Sequence, residues 1–267
     1  MRTKSDWQKT MTDGQIGWLH RIGDRPTMPR PSRVKERRVS DGELHDRLAL
    51  DIEIWHSRAR QRNRLAAALG MSRASLDELI VGWDGQCWTF PEKNHRGLYI
   101  GVNRRHADGQ KMCLLGSRRG LSYVAGWADR PGPILICEGG SDVAAGVTMG
   151  LCMIGRPSNT GGVEYLVKML GHYLNRKMVV LAERDRKASV TVPGHTADCP
   201  GCALCWPGKF GARSVAERLS KRLNRIVAWR FLPDGAKDIR AWLVAKKLDP
   251  ENEQVMRQLG ASLLRRL

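Results

Sequence analysis

Long apolar runs are missing from the 267-residue sequence, and their absence excludes whole classes of protein. No run approaches the roughly 18 apolar residues that a membrane-spanning helix needs. The first residues, MRTKSDWQKTMTDG, also lack the apolar segment of a secretory signal peptide. We therefore expect a cytoplasmic protein that has no membrane partner.

Acidic residues are scarce as well. Against 45 Lys and Arg stand only 27 Asp and Glu, which leaves a formal net charge of +18. An excess of this size attracts polyanions, so nucleic acid is the first partner that the composition predicts. Residues 1–40 contribute to this excess and contain three prolines without a sustained apolar period. We interpret them as a basic flexible arm, with an inert solvated tail as the alternative.

Residues 41–130 are predicted to form a small α+β unit. Apolar residues recur at helical spacing after Ser40, and Ser72 marks the start of another short helix. The segment RLAAALGMSRASLDELI also resembles a helix-turn-helix, which leaves a DNA-binding regulator open. From Gly82 to Gly126, runs rich in β-branched and aromatic residues are separated by Gly, Pro and Asp-Gly, a pattern typical of a mostly antiparallel sheet.

Residues 131–248 alternate short apolar runs with helical stretches, which predicts parallel βαβ units. Two of the predicted strands end in acids: PILIC runs into Glu138, and KMVVLA runs into Glu183, with Asp185 two residues later. Because the carboxyl ends of parallel strands meet at one edge, these carboxylates would repel one another unless a cation compensates. Mg²⁺ is the natural candidate, since it takes carboxylate and phosphate oxygens.

These residues resemble the toprim domain, which bacterial-type primases, topoisomerases and some nucleases share. ICEGGSDVAAG is similar to the first toprim motif and places its glutamate at Glu138. VVLAERDRK is similar to the second, with Asp185 at the second acid and Glu183 where an aspartate is more usual. LPDGAKDIRAWL is similar to the late acidic segment through Lys237 and Asp238. The resemblance implies a Rossmann-like parallel sheet flanked by helices, with metal ligands at Glu183 and Asp185. Glu138 would be a further ligand or a general base, and Asp238 a further candidate ligand.

The block before the toprim-like segment resembles the first half of the RNA-polymerase domain in DnaG-like primases. This resemblance implies a nucleotidyltransferase that makes short primers on single-stranded DNA from nucleoside triphosphates, using two Mg²⁺ or Mn²⁺ ions. Basic residues near predicted turns would hold the template or the incoming phosphates: Arg104, Arg105, Lys111, Arg118 and Arg119. The alternative is that they form a scattered solvated face.

Two absences bear on the other toprim activities. The chain has only four tyrosines, all explained as strand or helix packing, so a strand-cleaving tyrosine of a topoisomerase is not expected. It also lacks the G-x-x-x-x-G-K-[ST] pattern of an ATPase, which removes a fused helicase. A toprim nuclease remains open, as does a non-catalytic DNA-binding module, which the glutamate at position 183 keeps in view. A separate replicative helicase is an expected partner.

A Cys-rich insert is predicted at residues 188–209. His195, Cys199, Cys202 and Cys205 are four soft donors in eleven residues, which makes a compact zinc knuckle feasible although the spacing is tighter than in paired C-x-x-C hairpins. The run is also similar to the opening of a ferredoxin-type cluster sequence but lacks the fourth cysteine, and an unmetallated loop is the other alternative. Residues 249–267 predict a C-terminal amphipathic helix that packs on its own domain or docks a helicase. The fold expected overall is α/β, with the toprim unit at 131–248 preceded by the α+β subdomain at 41–130.

Overall fold

The computed structural model describes residues 8–10, 16–18, 39–187, 194–196, 199 and 202–267. Two compact units divide the chain, Met1–Val39 and Ser40–Leu267. In the first unit, strands β1 (Gln8–Thr10) and β2 (Ile16–Trp18) pair antiparallel. The rest of the predicted basic arm lies outside the described residues except for its last two positions, so the arm stays a prediction.

Three helices open the second unit: α1 (Asp41–His56), α2 (Ala59–Leu69) and α3 (Arg73–Glu78). Ser40 caps α1 in a reciprocal box with Glu43, and Ser72 caps α3, as the sequence predicts. The six-residue α3 is anchored in the interior, where the hydroxyls of Ser75 and Thr148 hydrogen-bond at 3.0 Å. Only one face of α3 is packed in this way, because Arg73, Ala74, Asp77 and Glu78 are exposed, and the helix-turn-helix interpretation stays a prediction.

An antiparallel sheet follows, as predicted, with its strands in chain order: β3 (Gly82–Trp83), β4 (Trp88–Lys93), β5 (Tyr99–Arg105) and β6 (Lys111–Cys113). The chain after β6 returns directly across β5, where the Arg118 N–H donates to the Ile100 carbonyl oxygen at 2.8 Å. Gly101 permits this approach, because a Cβ there would lie 1.7 Å from the Arg118 carbonyl oxygen.

The remainder of the chain forms a parallel four-stranded sheet in the order β10-β9-β7-β8. The inner strands β7 and β9 and the edge strand β8 are almost fully buried, whereas the other edge strand, β10, is only partly buried. The strands alternate with helices as the βαβ pattern predicts. The elements in chain order are β7 (Ile134–Glu138), α4 (Gly140–Thr148), β8 (Met153–Arg156), α5 (Val163–Leu170), β9 (Met178–Ala182), α6 (Pro207–Leu223), β10 (Ala228–Phe231) and α7 (Ile239–Ala245).

Helices cover the sheet in two groups, α4 with α7 and α5 with α6. The predicted C-terminal helix is present as α8 (Glu253–Arg266) and packs on its own unit through buried Met256 and Leu263. One hydrophobic core runs from α2 to α8, so Ser40–Leu267 is a single compact unit. Among the described helices, none combines the length and apolar character needed to cross a membrane.

The strand order decides where a site can form. From β7 the chain moves to β8 on one side, and then returns to β9 on the other side of β7. The carboxyl ends of β7 and β9 therefore flank the point where the strand order reverses, and ligands bind outside such switch points in open parallel sheets. Glu138 ends β7, and Glu183 directly follows β9.

Candidate active site

Four acidic side chains meet at this edge. Glu138, Glu183 and Asp238, all predicted from the sequence, line one small cavity together with Asp142. Gly139 makes the turn from β7 into α4 at a φ of +80°, a conformation that glycine adopts without strain. The first turn of α4 therefore begins beside the acids, and its free N–H groups favour an anion such as a phosphate. The cavity walls are otherwise apolar and include Leu181 and Ile239.

Asp142 is a site residue that the sequence reasoning missed. It lies in the first turn of α4, where an acid is ordinarily explained by the helix dipole, yet its side chain is buried in the acidic cavity. Burial raises the pKa of the Asp142 carboxyl well above its ordinary value, and the negative charges of Asp238 and Glu183 add to the rise. The available signal was its spacing: a residue four positions after Glu138, across a strand-to-helix turn, points back to the strand end.

Burial and repulsion by neighbouring carboxylates raise the pKa values of both glutamates in the cavity. Burial raises the pKa of Glu183 to about 7, with further contributions from Glu138 and Asp238. Burial likewise raises the pKa of Glu138 above its ordinary value, against the opposing charge of Arg156. Buried carboxylates this close together are stable in their ionised form only when a cation neutralises them. The arrangement therefore suits a divalent metal with oxygen ligands, and the donor set fits Mg²⁺ or Mn²⁺.

A buried arginine supplies part of the compensation. Arg156 ends β8 opposite Glu138 in the sheet register, is 2% exposed, and donates to the Asn159 carbonyl oxygen. Its pKa is lowered chiefly by burial, while Glu138 opposes the decrease. Its Nε has no hydrogen-bond partner among the described residues. Sequence reasoning gave no indication of this residue, because an arginine after a strand is ordinarily a surface residue.

Asp185, the remaining predicted acid, has a second task. It does not line the cavity; one carboxylate oxygen accepts a hydrogen bond from the Gly208 N–H at 2.9 Å, at the start of α6. A Cβ on Gly208 would lie 2.7 Å from that oxygen, so the helix approaches this closely only because residue 208 is glycine. The charge of Asp185 still reaches Glu138, whose pKa it raises. Its role as a metal ligand stays a prediction.

Comparison with solved structures matches this architecture to one group of proteins. The E. coli primase catalytic core superposes with a TM-score of 0.53 at 14% identity, over 81% of this chain and 80% of that one. A DnaG catalytic core gives a TM-score of 0.54 at 16% identity, over 82% and 79% of the two chains. The chain has the DnaG primase fold.

A DnaG primase catalytic domain bound to single-stranded DNA is also similar, with a TM-score of 0.56 at 15% identity over 81% of this chain and 78% of that one. The parallel four-stranded sheet with its helices corresponds to the toprim part of the primase fold, as the sequence predicts. No family model and no curated protein sequence matches the chain. At such low identity, the likeness establishes the fold of this chain and leaves its activity to be argued from the site.

The predicted basic residues of this primase fold divide into two sets. Three are held by acids: Arg104 by Asp84 at 2.6 Å, Arg118 by Asp41 at 2.8 Å, and Arg119 by Glu92 at 2.8 Å. Lys111 is exposed on β6, and its positive charge opposes the rise in the pKa of Glu138 and of Asp142. Arg105 lies close enough to Arg240 of α7 for that charge to lower its pKa, although burial is the larger cause. The charges of both Lys111 and Arg119 act on Glu138, although Arg119, like the other two paired arginines, is partly neutralised by an acid.

The predicted zinc ligands come together apart from the acidic cavity. One donor atom from each of His195, Cys199, Cys202 and Cys205 can be chosen so that all four lie within 4.8 Å of one another. All seven cysteines of the chain are free thiols, so none of these donors is used in a disulfide. The cluster is compatible with Zn²⁺.

Proposed function

We propose that the protein is a DNA primase: a nucleotidyltransferase that synthesises short primers on single-stranded DNA at the toprim edge. The observation that carries the proposal is the cavity where Glu138, Asp142, Glu183 and Asp238 converge at the switch point of a primase-fold sheet. The proposed substrates are nucleoside triphosphates and a single-stranded template, which the net charge of +18 would attract. A separate replicative helicase is the proposed partner.

The residues divide the work by position. Glu138, Asp142, Glu183 and Asp238 would hold Mg²⁺ or Mn²⁺ together with Asp185, and such ions activate the attacking hydroxyl and neutralise the departing pyrophosphate. Lys111 would contact the template backbone as well as the incoming triphosphate, since it is exposed and its charge acts on the acids. Arg156 would offset part of the negative charge of Glu138. Arg104, Arg105, Arg118 and Arg119 would position the template strand.

Zn²⁺ is the cofactor we propose for the separate cluster of His195, Cys199, Cys202 and Cys205. The reducing cytoplasm is the proposed location, because thiols remain available as metal ligands there. This part of the proposal is independent of primer synthesis, since none of the four donors lines the acidic cavity.

The test is primer synthesis from labelled nucleoside triphosphates on single-stranded DNA with Mg²⁺ or Mn²⁺, resolved on a denaturing gel. Glu138→Gln keeps the shape of the side chain and removes a ligand charge, so we expect product formation to fall roughly 10²–10³-fold. Glu217→Gln is the matched control, because Glu217 is exposed on α6 and pairs only locally with Arg213.

Each other outcome identifies an alternative. Shortened template without new oligonucleotides, abolished by Glu138→Gln, would make the protein a toprim nuclease. Bound DNA with neither product nor degradation would indicate a non-catalytic module. Equal product from wild type and Glu138→Gln would remove the acidic cavity from the chemistry.

A further inference from the structure

The Cys-His cluster has the dimensions of a tetrahedral metal site. With Zn–S distances of about 2.3 Å and Zn–N distances of about 2.0 Å, ligand atoms lie roughly 3.5–3.8 Å apart. Cys202 Sγ lies 3.4 Å from His195 Nδ1, and one donor from each of the four residues fits within a 4.8 Å limit. An ion at the centre therefore requires only small adjustments of the side chains.

We propose that this cluster binds one structural Zn²⁺, and that the ion braces the acidic segment after β9 against the start of α6. The site would keep Asp185 and the α6 amino terminus in contact. This inference goes beyond the proposed function, because it assigns the insert a mechanical role toward the acidic edge.

The donor chemistry selects zinc over the ions of the acidic edge. Three thiols and one imidazole are soft donors that bind Zn²⁺ well and Mg²⁺ poorly. Four protein ligands fill a tetrahedral shell and leave no position for substrate, the condition of a structural site. The Cys205 N–H donates to Cys202 Sγ at 3.3 Å, a backbone contact that stabilises a metal-bound thiolate.

Two hydrogen bonds connect the cluster to the acidic segment. The carbonyl oxygen of the ligand Cys205 accepts from the Lys187 N–H at 2.8 Å, two residues after Asp185. The helix α6 begins two residues after Cys205, and its Gly208 N–H donates to Asp185 at 2.9 Å. Cys205 is thus connected to the acidic segment through Lys187 and to the start of α6 through the chain. A metal that holds Cys205 in place would restrain both the acidic segment and the first turn of α6.

The residue between the ligand and the helix strengthens the connection. The backbone N–H of Trp206 donates to the Cys202 carbonyl oxygen at 3.0 Å. The Trp206 ring stacks on Phe231 at the end of β10, with ring centroids 5.4 Å apart. The neighbouring Leu204 is 59% exposed, so this side chain contributes little apolar burial. A bound metal can hold such a short segment in one conformation where apolar packing does not.

The first experiment measures metal content by mass spectrometry of the purified full chain. We expect about one zinc per wild-type chain, and loss of that zinc in Cys202→Ser and in His195→Ala. His195→Cys should restore it, because a fourth thiolate completes the same shell. Cys113→Ser is the matched control, since Cys113 is exposed on β6 outside the cluster and its loss should leave zinc content unchanged. Wild-type protein that contains no zinc even after refolding with added zinc would show that the cluster is not a zinc site.

The second experiment tests the brace by hydrogen exchange of wild-type protein before and after chelation, with zinc then added back. Removal of zinc should speed exchange in peptides covering Glu183–Lys187 and the first turn of α6, and zinc should reverse it. Peptides from β4 and β5 serve as the internal control and should not change. Zinc binding without any change at the two segments would leave a metal site but overturn the brace.

Both readouts are independent of primer synthesis. A consequence for catalysis rests on the proposed function: His195→Ala should lower activity and His195→Cys should rescue it. Loss of zinc and of protection in an enzyme that never makes primers would support the brace while removing the proposed function. Full activity in a zinc-free, unprotected His195→Ala variant would separate Asp185 from the chemistry.

Discussion

Glu183 is a residue whose protonation is coupled to the stability of the fold. Its pKa is raised by burial to about 7 from an ordinary value of 4.5, so the folded chain holds this proton more tightly than the unfolded chain does. The stabilisation by the proton is complete below pH 4.5 and is lost as the pH rises through 7. Without divalent metal, the free energy of unfolding should therefore decrease across this window.

Glu183→Gln isolates the effect, because glutamine has nearly the same shape and does not titrate. The free energy of unfolding of the variant minus that of wild type should increase by on the order of 2 kcal/mol from pH 4.5 to pH 8. Urea unfolding in the presence of a chelator measures this difference. Mg²⁺ should stabilise wild type at pH 8 more than it stabilises the variant. Identical pH profiles for the two proteins would show that the cavity does not raise the pKa of Glu183.

At the level of elements, Asp238 serves two structures at once. As the N-cap of α7 it accepts a hydrogen bond from the Ala241 N–H at 2.7 Å, and it also lines the acidic cavity. Asparagine caps helices as well as aspartate does, whereas alanine cannot, so the two substitutions separate the cap from the charge.

Asp238→Ala should lower the free energy of unfolding by about 1 kcal/mol, the typical value of a cap. Asp238→Asn should equal or exceed wild type without divalent metal, because it retains the cap and removes one of four repelling carboxylates. Urea unfolding in a chelator measures both. A loss in Asp238→Asn as large as that in Asp238→Ala would mean that the charge, and not the cap, holds α7.

For the whole molecule, the excess of 18 positive charges should govern binding to single-stranded DNA. Affinity should fall steeply with salt, with a slope of about 0.7 in the logarithms for each phosphate contact. Lys111→Ala should weaken binding and reduce that slope by roughly one contact, since Lys111 is exposed beside the acidic edge. Fluorescence anisotropy over a series of salt concentrations measures both quantities.

Arg257→Gln is the control of equal charge. Arg257 lies on α8, where it pairs with Glu253, and it lines the same cavity as Gly150, which precedes the amino end of β8. A change in the slope for Arg257→Gln as large as that for Lys111→Ala would indicate diffuse attraction to the whole surface. An affinity that does not depend on salt would contradict the electrostatic account altogether.

Sequence patterns predicted much of the architecture because each depends on neighbours along the chain. Alternating apolar runs and helical stretches predicted the parallel sheet. Because Glu138 and Glu183 follow two of the predicted strands, they were predicted as candidate site residues at the edge of that sheet. Ser40 and Ser72 marked helix starts through their local hydrogen bonds. The spacing of His195, Cys199, Cys202 and Cys205 also made their clustering predictable, since a short segment keeps these side chains near one another.

Only the tertiary structure decided which side chains face the site. The placement of β7 beside β9 brings Glu138 to Glu183 and turns Asp142 inward. Arg156 joins the acids because β8 is the neighbour of β7, and Arg118 and Arg119 are paired by acids far from them in sequence. The sequence by itself determined the elements, the net charge and the acids at strand ends. Burial and countercharge were left to the packed fold, because both depend on contacts between residues distant along the chain.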